Sequence, residues 1–283
     1  MHRDLQRFVT TFRDLEQKDH VPNEEERQHF LQLKEKLATT MLQEKADTVL
    51  IQRVIAVASF YPQAGATFLA SNYACAQSQL GLHVTLCEWP QVTSYLYFAL
   101  NGEKRGVKNG SQADVLKLGS LKIYMKPPTD NVITMTSEQV MAWFFTHSKS
   151  SSLFIIDLSS NWDDEAVGTV LEWADEIWFV IDSDLPRLAK RLLTVPCPEV
   201  WRNDPGKIRI IANRWNPSLA KVHVKKQIEA TISMWAQGEA KRKIEHTIPV
   251  IDPDKVSQAM LAGKLFTECF PEENKQFEQL TFF

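Results

Sequence analysis

Short apolar runs, rich in valine and isoleucine, recur along the chain from residue 54 onward and alternate with helical patterns. The runs are continuously apolar rather than alternating, which is typical of strands buried on both faces of a sheet. They predict strands at Val54–Ser59, Val84–Glu88, Leu121–Met125, Leu153–Asp157, Ile177–Asp182, Ile208–Ala212 and, more weakly, Thr247–Ile251. Helical periodicity predicts helices at Thr67–Leu80, Ser137–His147, Asp164–Trp173, Leu185–Val195 and Ser218–Ala236.

The alternation of strands and helices indicates the fold class. Repeated strand–helix units with fully apolar strands predict an α/β fold, with a doubly wound, mostly parallel sheet and helices on both faces. In open sheets of this kind, ligands bind beyond the carboxyl ends of the strands. The residues that end each predicted strand are therefore the first candidates for a functional site.

Two stretches depart from the alternation. Residues 1–50 are rich in charged residues and contain no glycine, and their apolar positions recur at spacings of three and four. They predict a helical N-terminal extension of two amphipathic helices, the second capped by Asn23, which packs on the main domain or presents a face to a partner. The polar segment Asn101–Ser120 contains four glycines and is predicted to be a loop or an exposed excursion.

Composition narrows the class of protein. The chain has 283 residues, 44% of them hydrophobic and 24% charged, as in ordinary globular proteins. Its net charge of −3 argues against nucleic acid as a partner of the whole protein. The four cysteines form no Cys-x-x-Cys pair, and no apolar run approaches the ~18–20 residues of a membrane span. We expect a cytoplasmic protein.

Polar residues follow the predicted strands at the expected edge of the sheet. Glu88, Asp157, Asp182 and Asn213 end or directly follow four of them. An acid that ends an apolar strand is well placed to hold Mg²⁺, and this is our interpretation of Asp157. An acid near a strand end can instead cap the next helix, as Asp164 is placed to do.

The stretch Val54–Ala74 combines a strand, a short loop and a helix that begins at Thr67. In this arrangement a helix N-terminus can receive a phosphate group, because its backbone N–H groups have no partner within the helix. The loop Phe60–Ala66 differs in detail from a working phosphate loop. It has one glycine where such loops have several, and it has no lysine.

Taken in order, several segments resemble the ParA/MinD group of deviant Walker-A ATPases. The matching segments are GATFLASNYA (Gly65–Ala74), GLHVTLCE (Gly81–Glu88), SLFIIDLSSNWDDEAV (Ser152–Val167), ADEIWFVIDSDLPRLAKRLL (Ala174–Leu193) and IRIIANRWN (Ile208–Asn216). The resemblance covers Val54 to Lys264. It implies a P-loop NTPase-like domain over residues 51–270, followed by a C-terminal tail at 271–283.

The resemblance also implies a cofactor and partners. The cofactor would be ATP or ADP with Mg²⁺, and the protein would form a homodimer and bind protein partners in a cytoplasmic or membrane-associated assembly. The implied nucleotide-binding residues are Gly65, Ala66, Thr67, Phe68, Asn213 and Arg214. Thr67 and Asp157 would hold Mg²⁺, and Glu88 and Asp157 would be the catalytic acids.

Departures from the family pattern bear most on function. Tyr61 stands where the family has a lysine that reaches across a dimer, and Ala66 stands where it has the lysine that holds the β- and γ-phosphates. Pro62 and Gln63 replace glycines; Pro62 has no N–H to offer an anion, and Gln63 is expected to resist a positive φ. One lost charge-assisted phosphate contact costs about 1.5–3 kcal/mol of binding. We expect nucleotide binding that is weak or absent, and very slow or no hydrolysis.

Three functions remain open from the sequence. The first is a degenerate ParA/MinD-like localisation or assembly scaffold of the pilus, secretion or partition type, similar to the TadZ/CpaE proteins and peripheral at the membrane through partners. The second is an active ATPase that uses another cation: Arg53, Lys104, Arg214 or an arginine from a partner. The third is an adaptor for DNA or a membrane surface that uses the basic residues between Lys221 and Lys243.

Overall fold

The computed structural model describes residues 52–280 apart from 92–93, 110–112, 129–133, 150, 217 and 237–241, so the predicted helical extension lies outside the described residues. The strands are β1 (Arg53–Ser59), β2 (Val84–Glu88), β3 (Val107–Asn109), β4 (Ala113–Leu118), β5 (Leu121–Met125), β6 (Leu153–Ser159), β7 (Glu176–Ile181), β8 (Ile208–Ala212) and β9 (His246–Thr247). The α-helices are α1 (Ala66–Gln79), α2 (Tyr95–Ala99), α3 (Gly102–Arg105), α4 (Ser137–Ser148), α5 (Glu165–Trp173), α6 (Leu185–Thr194), α7 (Glu199–Asn203), α8 (Leu219–Ser233), α9 (Pro253–Leu261), α10 (Phe266–Cys269) and α11 (Lys275–Glu278). Short 3₁₀ turns lie at Pro205–Lys207, Met234–Ala236 and Pro271–Glu273.

The strands of the described residues form one sheet, in the order β3-β4-β5-β2-β6-β1-β7-β8-β9. The pairs β5–β2, β2–β6, β6–β1, β1–β7, β7–β8 and β8–β9 are parallel, and the pairs β3–β4 and β4–β5 are antiparallel. Successive residues of β1 belong to different cores: Ala56 and Ala58 to one, Ile55 and Val57 to the other. The predicted α/β fold with a mostly parallel sheet covered on both faces is confirmed.

The prediction for Asn101–Ser120 is wrong. This segment forms α3, β3 and β4, which extend the sheet by two antiparallel strands. β4 and β5 are joined by Gly119 and Ser120 alone, and Gly119 has the positive φ of 58° that a tight hairpin turn requires. β3 has only three residues, and β4 includes Asp114 and Lys117, so neither strand stands out as a continuous apolar run.

The weak strand predicted at Thr247–Ile251 is also shorter than expected. Only His246 and Thr247 pair with β8, as the edge strand β9. Ile248 is buried, and its backbone still bonds to Ala212 and Trp215. The apolar residues after Thr247 pack in the core and do not extend the strand pairing with β8.

Helix α1 lies at the centre of one core and is apolar on several sides. Leu69, Tyr73 and Ala74 are each almost fully buried. The C-terminal helices cover its outer side: Phe68 contacts the rings of Phe266 and Phe277, at centroid distances of 6.0 and 6.1 Å. Residues after 270 thus help to hold α1, and with it the loop that precedes α1.

The register of the central strands brings two acids side by side. In the parallel pair β2–β6, Glu88 lies opposite Asp157. The β1–β6 register shifts after Val57, so that Ala58 lies opposite Ser159, and Ser159 has a positive φ of 51°. This irregularity at the end of β6 places the backbone N–H and hydroxyl of Ser159 beside the Asp157 carboxylate. Among the described helices, none combines the length and the apolarity that crossing a bilayer would require.

Candidate functional site

The loop between β1 and α1 is anchored at its first residue. The ring of Phe60 is fully buried and stacks on Phe179 at a centroid distance of 4.7 Å. Trp162 donates an indole hydrogen bond of 3.4 Å to the Phe60 carbonyl. Rings on three further sides complete an aromatic cluster beneath the loop: Trp162, Trp201 and Trp235. The start of the loop is therefore held by packing.

Gly65 ends the loop and forms the N-cap of α1. It has a φ of 102°, and a Cβ added there would lie 2.1 Å from Nδ2 of Asn213. That same Nδ2 donates a hydrogen bond of 2.9 Å to the carbonyl of Ala64. Both the backbone angle and the close approach require glycine at this position. Asn213, which the family resemblance implies to be a nucleotide-binding residue, here bonds to the loop backbone.

Tyr61, at the position of the first family lysine, is turned into the protein. Its side chain is 3% exposed, and its hydroxyl donates to Asp182 Oδ1 at 2.6 Å. The backbone N–H of Asp182 donates back to the same hydroxyl at 3.1 Å. Burial, followed by the hydrogen bond to Asp182, raises the pKa of Tyr61 above its ordinary range. A neutral, bonded phenol therefore stands where the family has a mobile cation.

Arg214 closes the other side of the loop. Its guanidinium donates to the Gln63 carbonyl at 2.6 Å and to Asp182 Oδ2 at 2.5 Å. Gln63 has a φ of 70° and Arg214 a φ of 53°, so the expectation that Gln63 resists a positive φ is wrong. The hydrogen bond from Arg214, with a further one of 3.4 Å from Arg187 to the Gln63 side chain, holds the residue in that conformation. We call Tyr61, Asp182, Arg214 and Gln63 the loop network.

The structure brings together Thr67 and Asp157, the two residues predicted to hold Mg²⁺. The Thr67 hydroxyl lies 3.1 Å from that of Ser159, and Asp157 Oδ1 accepts from the Ser159 N–H at 2.9 Å. Asp157 Oδ2 is buried and accepts no hydrogen bond from any described residue. Burial raises the pKa of Asp157 to about 6, and the neighbouring hydroxyls of Thr67 and Ser159 offset part of the rise.

Glu88 is engaged at a helix end. Its Oε1 accepts from the N–H groups of Tyr95 and Leu96 at 2.9 and 3.0 Å, and its Oε2 accepts from the Ser94 hydroxyl. Burial and the nearby Asp157 raise the pKa of Glu88 to about 7, while these hydrogen bonds act in the opposite direction. Both oxygens thus serve the first turn of α2. The one additional methylene of glutamate over aspartate allows that reach.

Position 66 carries no charge, and two of the three candidate replacement cations in this chain are paired with acids. Ala66 is 3% exposed and lies in the core at the start of α1. Arg53, one candidate replacement, begins β1 at the edge opposite the loop and pairs with Glu176. Lys104 lies on α3. Arg214 is near the loop, but its guanidinium is already paired with Asp182.

Sequence reasoning missed the loop network, although a signal for it exists. Asp182 directly follows β7 and Arg214 lies two residues after β8. β7 and β8 are neighbours in the sheet, so an acid and a base after their carboxyl ends are brought together. The partner of Tyr61 had no such signal, because nothing in the sequence shows which way that side chain faces.

The residues present fit one part of Mg²⁺–ATP and not the other. A buried carboxylate oxygen without a partner, beside the hydroxyl of Thr67, is a donor set suited to a hard cation such as Mg²⁺. The N-terminus of α1 offers N–H groups to an anion. A triphosphate carries several negative charges, however, and the described loop presents no unpaired cation to them. The described residues therefore fit Mg²⁺, but they do not supply the positive charge that phosphoryl transfer from ATP requires.

Similar architectures occur among solved structures. A ParA family ATPase from Chlorobium tepidum matches with a TM-score of 0.60 and 23% identity, over 81% of this chain and 97% of that one. The fold is that of the ParA/MinD ATPases. MinD from Aquifex aeolicus matches with a TM-score of 0.58 and 18% identity, over 81% of this chain and 96% of its own. MinD from Pyrococcus horikoshii with Mg-ADP matches with a TM-score of 0.57 and 14% identity, over 81% and 96%. No protein-family model and no curated protein sequence matches the chain.

Removing the Tyr61 hydroxyl should measurably destabilise the protein, because it deletes one contact that holds the loop between β1 and α1. Tyr61→Phe deletes a hydrogen bond to a charged group and is expected to lower the free energy of unfolding by about 1.5–3 kcal/mol. Urea denaturation measures the change, with Tyr95→Phe as the matched control because Tyr95 is 54% exposed. Equal, near-zero effects of the two substitutions would show that the bond to Asp182 contributes nothing to the fold.

Proposed function

We propose that this protein is a localisation or assembly factor with the ParA/MinD fold that does not hydrolyse ATP and acts through protein contacts. The observation that carries the proposal is the loop network. Tyr61 and Arg214, on either side of the loop, both bond to Asp182 and fix the loop through the chain's own side chains. Enzymes of this kind depend on placed positive charge at the phosphates, and here the nearby charge is committed to an acid.

The rate of ATP hydrolysis depends on positive charge placed at the phosphates. Losing a preorganised stabiliser of transition-state charge costs about 10²-fold or more in rate, and both lysine positions are affected. Restoring the charge from Arg214 would require breaking its bonds to Asp182 and to the Gln63 carbonyl. The negative charge of Asp182 would then lose its ion pair with Arg214, and the neutral Tyr61 would not replace it. The loop network therefore opposes recruitment of its own arginine.

Partners follow from the fold by analogy. The MinC:MinD complex of Aquifex aeolicus is a cell division complex in which a protein of this fold is bound to another protein. We propose that the present chain likewise works through a protein partner, as a homodimer, in a pilus, secretion or partition assembly of the TadZ/CpaE kind. It would reach a membrane through that partner. Nucleic acid is not part of the proposal, because the net charge is −3.

A second function has one specific observation in its favour. Asp157 Oδ2 and Thr67 Oγ1 keep the donor set that would hold Mg²⁺. If a partner inserted an arginine at the loop, those two residues and the N-terminus of α1 would form the remainder of an ATPase site. In that case hydrolysis would appear only when the partner is present.

A single-turnover assay tests the proposal. Full-length protein, in excess over γ-labelled Mg·ATP, is expected to release no more phosphate than a matched Asp157→Asn variant. Calorimetric titration with Mg·ADP measures binding separately from chemistry. Phosphate release that exceeds the buffer rate and disappears in Asp157→Asn would overturn the proposal in favour of an active ATPase.

A further inference from the structure

A groove of about 370 Å³ lies beside α2 and α3, at a distinct place from the β1–α1 loop. Its walls are two aromatic rings and two prolines, with polar groups at one side. Its lining residues include Tyr97, Phe98, Asn101, Glu103, Pro127 and Pro128. We call this feature the aromatic–proline groove. Phe98 is 61% exposed, so its ring is open to a ligand in the groove.

The aromatic wall is held in place. A Cβ added to Gly102 would lie 2.6 Å from the Tyr97 ring, so the backbone of α3 packs directly on that ring. Tyr97 and Phe98 meet edge to face, with centroids 5.6 Å apart and an interplanar angle of 82°. The turn that carries them is tied to the sheet, because Glu88 caps the first residues of α2. The rings therefore offer a preformed surface.

The charge of the groove selects the occupant. Glu103 is the one charged side chain among the described residues that line it. Desolvation, followed by the nearby carboxylates of Asp114 and Glu103, raises the pKa of Tyr97. Aromatic faces attract cations through their quadrupole, and a carboxylate at the rim adds an ion pair. Arg105, the nearest arginine on α3, is paired with Glu268 and does not neutralise these acids.

We propose that the aromatic–proline groove binds an arginine side chain from a basic segment of a partner protein. The guanidinium would stack on Phe98 or Tyr97 and bond to Glu103, while its apolar stem would lie against Pro127 and Pro128. Arginine is favoured over lysine because its planar group stacks on rings and presents several donors at once. This site is independent of nucleotide at the β1–α1 loop, so it stands or fails separately from the proposed function.

Titration of the full chain with a short peptide tests the proposal. The probe is an acetylated, amidated Gly-Ser-Arg-Gly-Ser peptide, followed by ligand-detected NMR at low salt. Saturable binding with a Kd on the order of 1 mM is expected, as for one desolvated cation–π contact and one rim ion pair. The same peptide with citrulline, which keeps the shape of arginine without its charge, is expected to bind about tenfold more weakly.

Variants locate the binding. Glu103→Gln and Phe98→Ala are each expected to weaken the arginine peptide about five- to tenfold. Both side chains are exposed, so the fold is retained, and thermal denaturation verifies this. Lys104→Gln, on the same short helix, is the matched control and is expected not to weaken binding. No saturable binding, equal affinity for the citrulline peptide, or equal effects of Glu103→Gln and Lys104→Gln would each overturn the proposal.

Discussion

Ala66→Lys is expected to bind Mg·ADP about ten- to a hundredfold more tightly than the natural chain, while ATP hydrolysis stays undetectable. Position 66 begins α1, where the helix N–H groups and a lysine would act on the same phosphates. Hydrolysis should not follow, because Tyr61 remains bonded to Asp182 and the second missing cation is still absent. Isothermal titration calorimetry measures the affinity, and a single-turnover assay measures the chemistry.

Ala66→Met is the matched control for this substitution. Methionine adds a side chain of similar length without charge at a site that is 3% exposed, so it shares any packing cost of the lysine. It is expected to leave nucleotide binding unchanged. If the methionine variant gained as much affinity as the lysine variant, the charge argument for the loop would be wrong. If neither gained, the loop network would have to exclude nucleotide by shape.

Gly65→Ala is expected to lower the free energy of unfolding by about 3 kcal/mol, against about 1 kcal/mol for Gly81→Ala. The two glycines share a positive φ, 102° and 93°, so both alanines carry the strain of a left-handed residue. They differ in surroundings: a Cβ at Gly65 would meet Asn213 at 2.1 Å, whereas one at Gly81 meets nothing within 4 Å. Displacing Asn213 also removes its hydrogen bond to Ala64. Urea denaturation of the two variants measures the difference.

A double-mutant cycle separates the two causes. With Asn213→Ala in the background, Gly65→Ala should cost only the backbone strain, so the two substitutions should be less than additive by about 1–2 kcal/mol. Strict additivity would show that the two residues do not restrict each other. A cost for Gly65→Ala no larger than that for Gly81→Ala would show that the loop relaxes freely around the added methyl group.

Most of the sheet could be predicted from the sequence, because strands that are buried on both faces are mainly apolar along their length. β1, β2, β6, β7 and β8 are mainly apolar and almost fully buried, whereas β5 alternates between buried and half-buried residues; each of the six was predicted within two residues of its observed bounds. The hairpin β3–β4 ends the sheet, and its strands contain polar residues such as Lys108, Asp114 and Lys117, so no continuous apolar run marked it. The short β9 was overestimated, because apolar residues such as Ile248 fill the core without pairing.

The predicted site residues are only partly brought together. Thr67 and Asp157 meet, through Ser159, at the carboxyl edge of the sheet. Glu88 lies beside Asp157 in the register, but its oxygens are bonded to the start of α2. Asn213 is bonded to the loop backbone. Sequence position predicts which strand end a residue occupies, whereas its side-chain partners depend on contacts between distant segments.

The sequence by itself determined the α/β architecture and the absence of lysine at positions 61 and 66. Both are local facts: a strand is a run of neighbouring apolar residues, and a missing charge is visible at one position. Only the tertiary structure decided what Tyr61, Gln63 and Arg214 do in place of those lysines. Asp182, the common partner of Tyr61 and Arg214, is more than a hundred residues from Tyr61 along the chain, and the two meet because β1 and β7 are adjacent in the sheet.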